Sequence, residues 1–262
     1  MTRYHSLTSL REGWNLQCEH VPGLANFIAI LPMEPLSVSP HPIVKHAVGR
    51  LMDPATERRD YIALLHQIGM HLAFFASADL TLKKSTVKKL LQNDKAVEFE
   101  VDRLEHDNFV VVPILRSGLI LSEGVRLALG NPTLGMLGVT EKQSDNRMDG
   151  KKKANAYLVS LPKLDERTVF LVDAVLHSTA EAQLALDYLK AAGASDIRWL
   201  TVSAYREAAF ELMKHFENLR IYCAVLEVRN KSSDPSQSSV PAIGGELEFG
   251  GIGDPTIQTF GY

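Results

Sequence analysis

Apolar positions along the chain alternate between two rhythms. Short unbroken runs rich in β-branched residues, Phe109–Pro113 (FVVVP) and Val169–Val172, read as strands covered on both faces. Ile197–Ser203 and Arg220–Leu226 read as strands too, as do Thr133–Val139 and Ala156–Leu161. Val97, Phe99 and Val101 alternate with polar residues as in a half-buried strand. Elsewhere the spacing is helical: Tyr61, Leu64, Leu65, Ile68, Leu72 and Phe75 share one face, with Asp53-Pro54 ahead of them as N-cap and first helical residue. Further helices are predicted over Leu119–Leu129, from Thr179, and over Tyr205–Phe216. Strands alternating with helices of ten or more residues predict an α/β fold, with a mainly parallel sheet and flanking helices joined by right-handed crossovers.

Residues 1–40 lack a sustained period and contain Pro22, Pro32, Pro35 and Pro40, so they read as an N-terminal arm ahead of a domain spanning 41–262. The polar excursion Thr140–Asn155 holds Arg147 and Lys151–Lys153 and reads as a mobile, locally basic loop. The serine-, proline- and glycine-rich tail from Lys231 is too irregular to predict another core element. A net charge of −3 gives no electrostatic footprint for nucleic acid or an anionic membrane. Apolar runs such as Leu24–Met33 are too short to span a bilayer, and the first residues lack a signal-like apolar segment. Two cysteines, Cys18 and Cys223, far apart, predict a reducing compartment and a cytoplasmic location.

The chain is organised around Thr168–Lys190: a strand, then Asp173, then a tight connection into a helix. That arrangement is where α/β enzymes hold phosphate-bearing ligands. The run HPIVKHAVGRLMDPATERRDYIALLHQIG, then VVVPILRSGLILSEGV, then this stretch, then GGIGDPTIQTFG, resembles the uracil phosphoribosyltransferases in order and spacing from His41 to Tyr262. The resemblance implies a type I phosphoribosyltransferase fold with a small hood over the site, and a homodimer. It also implies a reaction of uracil with phosphoribosyl pyrophosphate (PRPP), normally with Mg²⁺, giving UMP and pyrophosphate.

By the same resemblance Arg116 faces pyrophosphate, as suits a planar, permanently charged fork. Asp173 faces the ribose hydroxyls, and Ser178 and Thr179 belong to the PRPP loop. Ile252, Gly253 and Asp254 read the base edge. Glu227 and Arg229 stand in place of an acid-rich motif, although they could equally be an ordinary surface pair. No metal ligand set is spaced for a protein-only site, so Mg²⁺ and PRPP are implied only if the family activity is kept.

Three positions depart from the family pattern. Where it has alanine, threonine, two glycines and serine, this chain has His177-Ser178-Thr179-Ala180-Glu181. Ser178 and Glu181 have the spacing of a capping box, which would seal the helix end and set a carboxylate where a phosphate belongs. Thr140-Glu141 replace a tyrosine–arginine pair, and a second acid is missing after Asp254. His177 is the most conspicuous newcomer, a candidate for new acid–base chemistry with Glu181. These departures predict a rebuilt PRPP site in a repurposed enzyme acting on a small planar nucleobase- or amide-like ligand. An active UMP-forming enzyme and a non-catalytic binding homologue are the alternatives.

Overall fold

Successive side chains of a strand point to opposite faces, and here they feed two separate cores. A computed structural model describes residues 34–91, 96–142, 153–227, 252 and 254–261. The chain divides into two compact units, Met1–Leu31 and Pro32–Tyr262, and the described residues all lie in the second. Their elements, in chain order, are β1 (Leu36–Val38), α1 (Pro42–Leu51), α2 (Arg58–Ala76), β2 (Leu82–Leu90), β3 (Ala96–Leu104), β4 (Phe109–Leu115), α3 (Gly118–Ala128) and β5 (Thr133–Leu134). They continue with β6 (Met136–Lys142), β7 (Lys153–Ser160), β8 (Thr168–Leu176), α4 (Thr179–Ala191), β9 (Asp196–Tyr205), α5 (Arg206–His215), β10 (Leu219–Glu227) and α6 (Pro255–Phe260).

The main sheet runs β1-β10-β9-β8-β4-β6-β7, with β5 also on β4. Every pairing is parallel except β6 with β7. Val111, Phe170, Val172, Leu200, Val202 and Tyr222 face α1, α2 and α3. Val110, Val112, Val169, Leu171, Trp199 and Ile221 face α4 and α5. The unbroken apolar runs are therefore strands with a helix layer on each side, as the sequence predicts. No described helix is long and apolar enough to cross a membrane.

Several expectations are corrected. Leu36–Val38, inside the segment read as an arm, pairs with Ile221–Cys223 and forms one edge of the sheet. The helix expected from Asp53-Pro54 starts instead at Arg58 with Glu57 as N-cap. Asp53 closes a turn by accepting from the Ala55 N–H at 2.9 Å, ending the separate helix α1 just before it. The tail does add an element, α6. Val97 and Phe99 are not half-buried: β3 pairs only with β2, in a hairpin apart from the main sheet, and Phe99 is 44% exposed. The ends of the excursion Thr140–Asn155 are not loop: Thr140–Lys142 pair with Lys153–Asn155 as the ends of β6 and β7, while 143–152, with Arg147, Lys151 and Lys152, lie outside the described residues.

Helices α2 and α3 meet at glycines. A Cβ on Gly124 would lie 2.1 Å from the His66 carbonyl oxygen, and one on Gly69 would lie 2.3 Å from that of Leu121. In each case the obstacle is backbone, which cannot rotate away as a side chain can. Gly124→Ala is therefore expected to lower stability by roughly 1–3 kcal/mol in urea unfolding, the usual cost of overpacking.

Candidate functional site

The strands of a parallel sheet end together, and ligands of open α/β sheets bind outside their carboxyl ends. Here β4 and β8 lie side by side, Pro113 opposite Val172, so the residues following each strand meet. Arg116 and Ser117 follow β4, after a cis Leu115–Arg116 peptide. The next residue, Gly118, packs so closely on β8 that a Cβ would lie 2.1 Å from the Val172 carbonyl oxygen. That closeness lets Ser117 Oγ donate to Asp173 Oδ1.

Asp173 was expected to open a loop. It lies instead within β8, which stays paired with β9 as far as Leu176 opposite Ala204. Only His177 and Ser178 separate β8 from α4. The strand continues because Ala174, Val175 and Leu176 are apolar and buried, so the ladder costs them nothing. Burial pushes the Asp173 carboxyl up to about 7. The Ser117 hydroxyl and the N–H groups of Ala174 and Val175 oppose that rise, and the Glu181 charge adds to it.

A cavity of about 570 Å³ opens above these residues. Arg116, Asp173, His177, Glu181 and Asp254, from three separate segments of the chain, all line it. Glu141, at the end of β6, lines it as well. Among the described lining residues four carboxylates (Glu141, Asp173, Glu181, Asp254) face one guanidinium, Arg116.

The capping box does not form. Ser178 is the N-cap of α4, but its side chain makes no cap bond. Ser178 Oγ donates to Glu141 Oε1, and Glu181 Oε1 accepts from the Glu141 N–H at 2.8 Å. Both side chains reach across to β6, where the backbone N–H at the strand's end and a neighbouring carboxylate offer partners outside the helix. Ser178 bonds Glu141, so no pairing of its hydroxyl with His177 as nucleophile and base is set up.

The remaining candidates are more scattered. Thr179 is the first residue of α4. Ile252 packs in the core beside Tyr61, whose hydroxyl donates to the Ile252 carbonyl at 3.1 Å. Asp254 caps α6, its Oδ1 accepting from the Thr256 N–H at 2.8 Å and the Ile257 N–H at 3.4 Å. Through Asp254, Pro255 and Thr256 the start of α6 borders the cavity. Glu227 accepts from Ser203 Oγ at 2.7 Å and does not line the cavity. Gly253 and Arg229 lie outside the described residues.

Ser117 and Tyr157 are polar lining residues that were not among the candidates. Tyr157, on β7, lies over Gly138, where a Cβ would come within 2.4 Å of the ring, and donates to the Leu115 carbonyl at 3.2 Å. The glycine of the Gly138-Val139 step is the only sequence signal for that ring. Mg²⁺ takes oxygen donors but commonly uses one or two carboxylates and keeps phosphate and water for the rest. No group of three or more His, Cys, Asp or Glu among the described residues could hold a metal alone. The Asp173 carboxylate offers the hard oxygen donor that Mg²⁺ prefers, with a ligand's own oxygens needed for the rest of its shell.

Comparisons agree on the lineage. The family model for uracil phosphoribosyltransferase matches residues 38–235. A uracil phosphoribosyltransferase of Staphylococcus haemolyticus is 29% identical over 196 residues, covering 74% of this chain and 88% of the relative. One from Thermus thermophilus is 26% identical over 189 residues, covering 72% and 86%. Among solved structures, the AQ2163 protein from Aquifex aeolicus superposes with a TM-score of 0.64 at 23% identity, covering 75% of this chain and 89% of that one.

The raised Asp173 carboxyl sets a pH dependence. In the unfolded chain this group releases its proton near pH 4, roughly, and in the folded chain near 7. The folded state thus binds more protons in that window, and stability falls as pH rises through it. Asp173→Asn, isosteric with the protonated acid, removes the loss. Its stability advantage over wild type is expected to grow between about pH 4 and pH 7 and then level off, reaching of order 1–4 kcal/mol by thermal unfolding.

Proposed function

Because the chain belongs to the uracil phosphoribosyltransferase family, we propose that it transfers a phosphoribosyl group from PRPP to uracil, forming UMP and pyrophosphate. The observation that carries this is the meeting on one cavity of Arg116, just after β4, and Asp173, within the neighbouring parallel strand β8. The curated relatives, named for this activity and covered over most of their length, support it.

In this reading the bond from ribose C1′ to the pyrophosphate oxygen breaks, and the electron pair leaves with pyrophosphate. A bond forms from C1′ to a ring nitrogen of uracil, whose proton passes to solvent. Positive charge builds on the ribose as the diphosphate departs, so stabilisation of the leaving group dominates. Arg116 meets the diphosphate with a charged, planar fork. Asp173, fixed by Ser117, sits beneath the ribose. At neutral pH it is poised between donating and accepting a hydrogen bond to the ribose hydroxyls. The start of α6, with Asp254 held by its own cap bonds, borders the base end. Mg²⁺, when bound with the diphosphate, would neutralise part of its charge beside Asp173.

Four carboxylates against one guanidinium favour a second reading. In it the cavity serves a repurposed enzyme acting on a less anionic planar ligand. The exposed Val97 and Phe99 on the β2–β3 hairpin support the homodimer expected from the family. Phe99→Asp is then expected to shift the protein toward monomer in sedimentation.

The deciding assay is UMP formation from uracil, PRPP and Mg²⁺. Arg116→Ala is expected to lower kcat/KM by roughly 100-fold or more, as for loss of a charge that stabilises a transition state. Absence of UMP in wild type, together with no PRPP binding in calorimetry, would leave the second reading.

A further inference from the structure

Asp254, Pro255 and Thr256 put one wall of the cavity on α6, outside the sheet. A helix of six residues is too short to hold itself in water, so its place depends on what it packs against. It packs on α2, and two α2 residues one turn apart meet the segment on either side of it. Tyr61 donates its hydroxyl to the Ile252 carbonyl at 3.1 Å, and both residues are only 1% exposed. Ile252 lies two residues before Asp254, so this bond holds the chain just ahead of the helix. Arg58 lies against Gly261, just past the helix, its guanidinium 2.4 Å from where a Cβ would stand. The Tyr61 phenol stays a donor, because burial raises its pKa and the nearby Asp254 charge adds to the rise.

We propose that Tyr61, which does not line the cavity, is a positioning residue for the neutral base: by holding the Ile252 carbonyl it sets Asp254 and the start of α6 opposite Arg116 and Asp173. This rests on the phosphoribosyl-transfer reading, in which Arg116 and Asp173 take the diphosphate and the ribose. A carboxylate repels phosphate but accepts from an imide N–H, so of the two substrates the base suits the Asp254 wall. Asp254 Oδ1 accepts from the Thr256 and Ile257 N–H groups, and its carboxyl cannot turn without breaking that cap. Where the acid sits is therefore decided by where the backbone of 252–256 sits, and the buried Tyr61 bond fixes that backbone to α2. Without the bond the wall shifts as a unit, and the acid leaves the place where it meets a ring held over the ribose.

Tyr61→Phe removes the hydroxyl alone and keeps the ring in the core. In UMP formation it is expected to raise KM for uracil roughly five- to tenfold, the effect of one lost buried bond. KM for PRPP and kcat are expected to change by less than about twofold. Ile68→Val, on the buried face of the same helix, is the control: it lowers stability without touching the tail and is expected to leave all three constants unchanged. Hydrogen exchange reads the tether directly. Relative to the amides of α4, those of residues 256–261 are expected to exchange at least about fivefold faster in Tyr61→Phe than in wild type. Equal rises in both KM values overturn the proposal, as does a uracil KM shifted as far by Ile68→Val, or unchanged exchange in α6. Arg58→Ala, at the exposed contact, keeps the test open if Tyr61→Phe does not fold. It is expected to speed α6 exchange and to raise the uracil KM in the same selective way, and the same outcomes overturn the proposal. UMP formation by wild type with no selective uracil effect in the variants refutes the Tyr61 role and spares the activity. If wild type makes no UMP, the phosphoribosyl-transfer reading fails, and the tether stands or falls on α6 exchange alone.

Discussion

A parallel sheet with helices on both faces leaves charge nowhere to go except the two ends of its strands. The interior here is apolar on each side of the sheet, and the ladder uses the backbone groups of β8, β9 and β10. Charged side chains are therefore sorted to the strand starts or the strand finishes, and the two ends solve the problem differently. At the starts of β9 and β10, Arg198, Arg220, Asp79 and Asp196 close a ring. Arg198 reaches Asp79 at 2.5 Å and Asp196 at 3.4 Å, and Arg220 bonds the same two acids. Burial alone would raise the Asp79 carboxyl, yet the two guanidinium groups hold it below its ordinary range. Two positive and two negative charges balance inside that ring. Arg198, 3% exposed, also donates to the Ala76 carbonyl and so ties the end of α2 to the sheet.

At the finishing ends the described residues around the cavity include four carboxylates and one guanidinium, a different ratio. Buried charge without a partner is costly, and proteins tolerate it mainly where a ligand or ion completes the site. Asp173 shows the cost directly, since its carboxyl is pushed toward the neutral form even with Ser117 bonded to it. The balanced ring lies at one end of the sheet and the cavity with its unequal charges at the other, separated by the length of the strands.

Much of this was legible in the sequence where period and burial agree. FVVVP and Val169–Val172 read as strands with two apolar faces, and the resemblance to the family is what implied a shared site for Arg116, Asp173 and Asp254. What stayed hidden depended on partners remote in sequence. Two of the three Asp-Pro steps lie among the described residues: Asp53 closes a turn, whereas Asp254 caps a helix with Pro255 in its first turn. The dipeptide is locally competent for both, and the packing of α6 near Tyr61 and α2 decides the second. The extension of β8 through Leu176 was missed because an acid after an apolar run reads as a strand end. Pairing with β9 overrides that local signal. Tyr157 left a trace only in the glycine beneath it.

The S-x-x-E spacing at Ser178 and Glu181 is the sharpest of these cases. A capping box satisfies a helix from within, and in an isolated helix nothing would compete with it. In the folded chain β6 ends beside α4 and presents the Glu141 N–H and carboxylate to the same two side chains. A strand N–H buried at a cavity wall also needs an acceptor, and leaving it without one costs more than an unmade cap at a helix end that a cavity can solvate. Glu181 therefore serves the more demanding donor. The spacing that read as self-sufficiency of one helix is in the structure a bond between two elements.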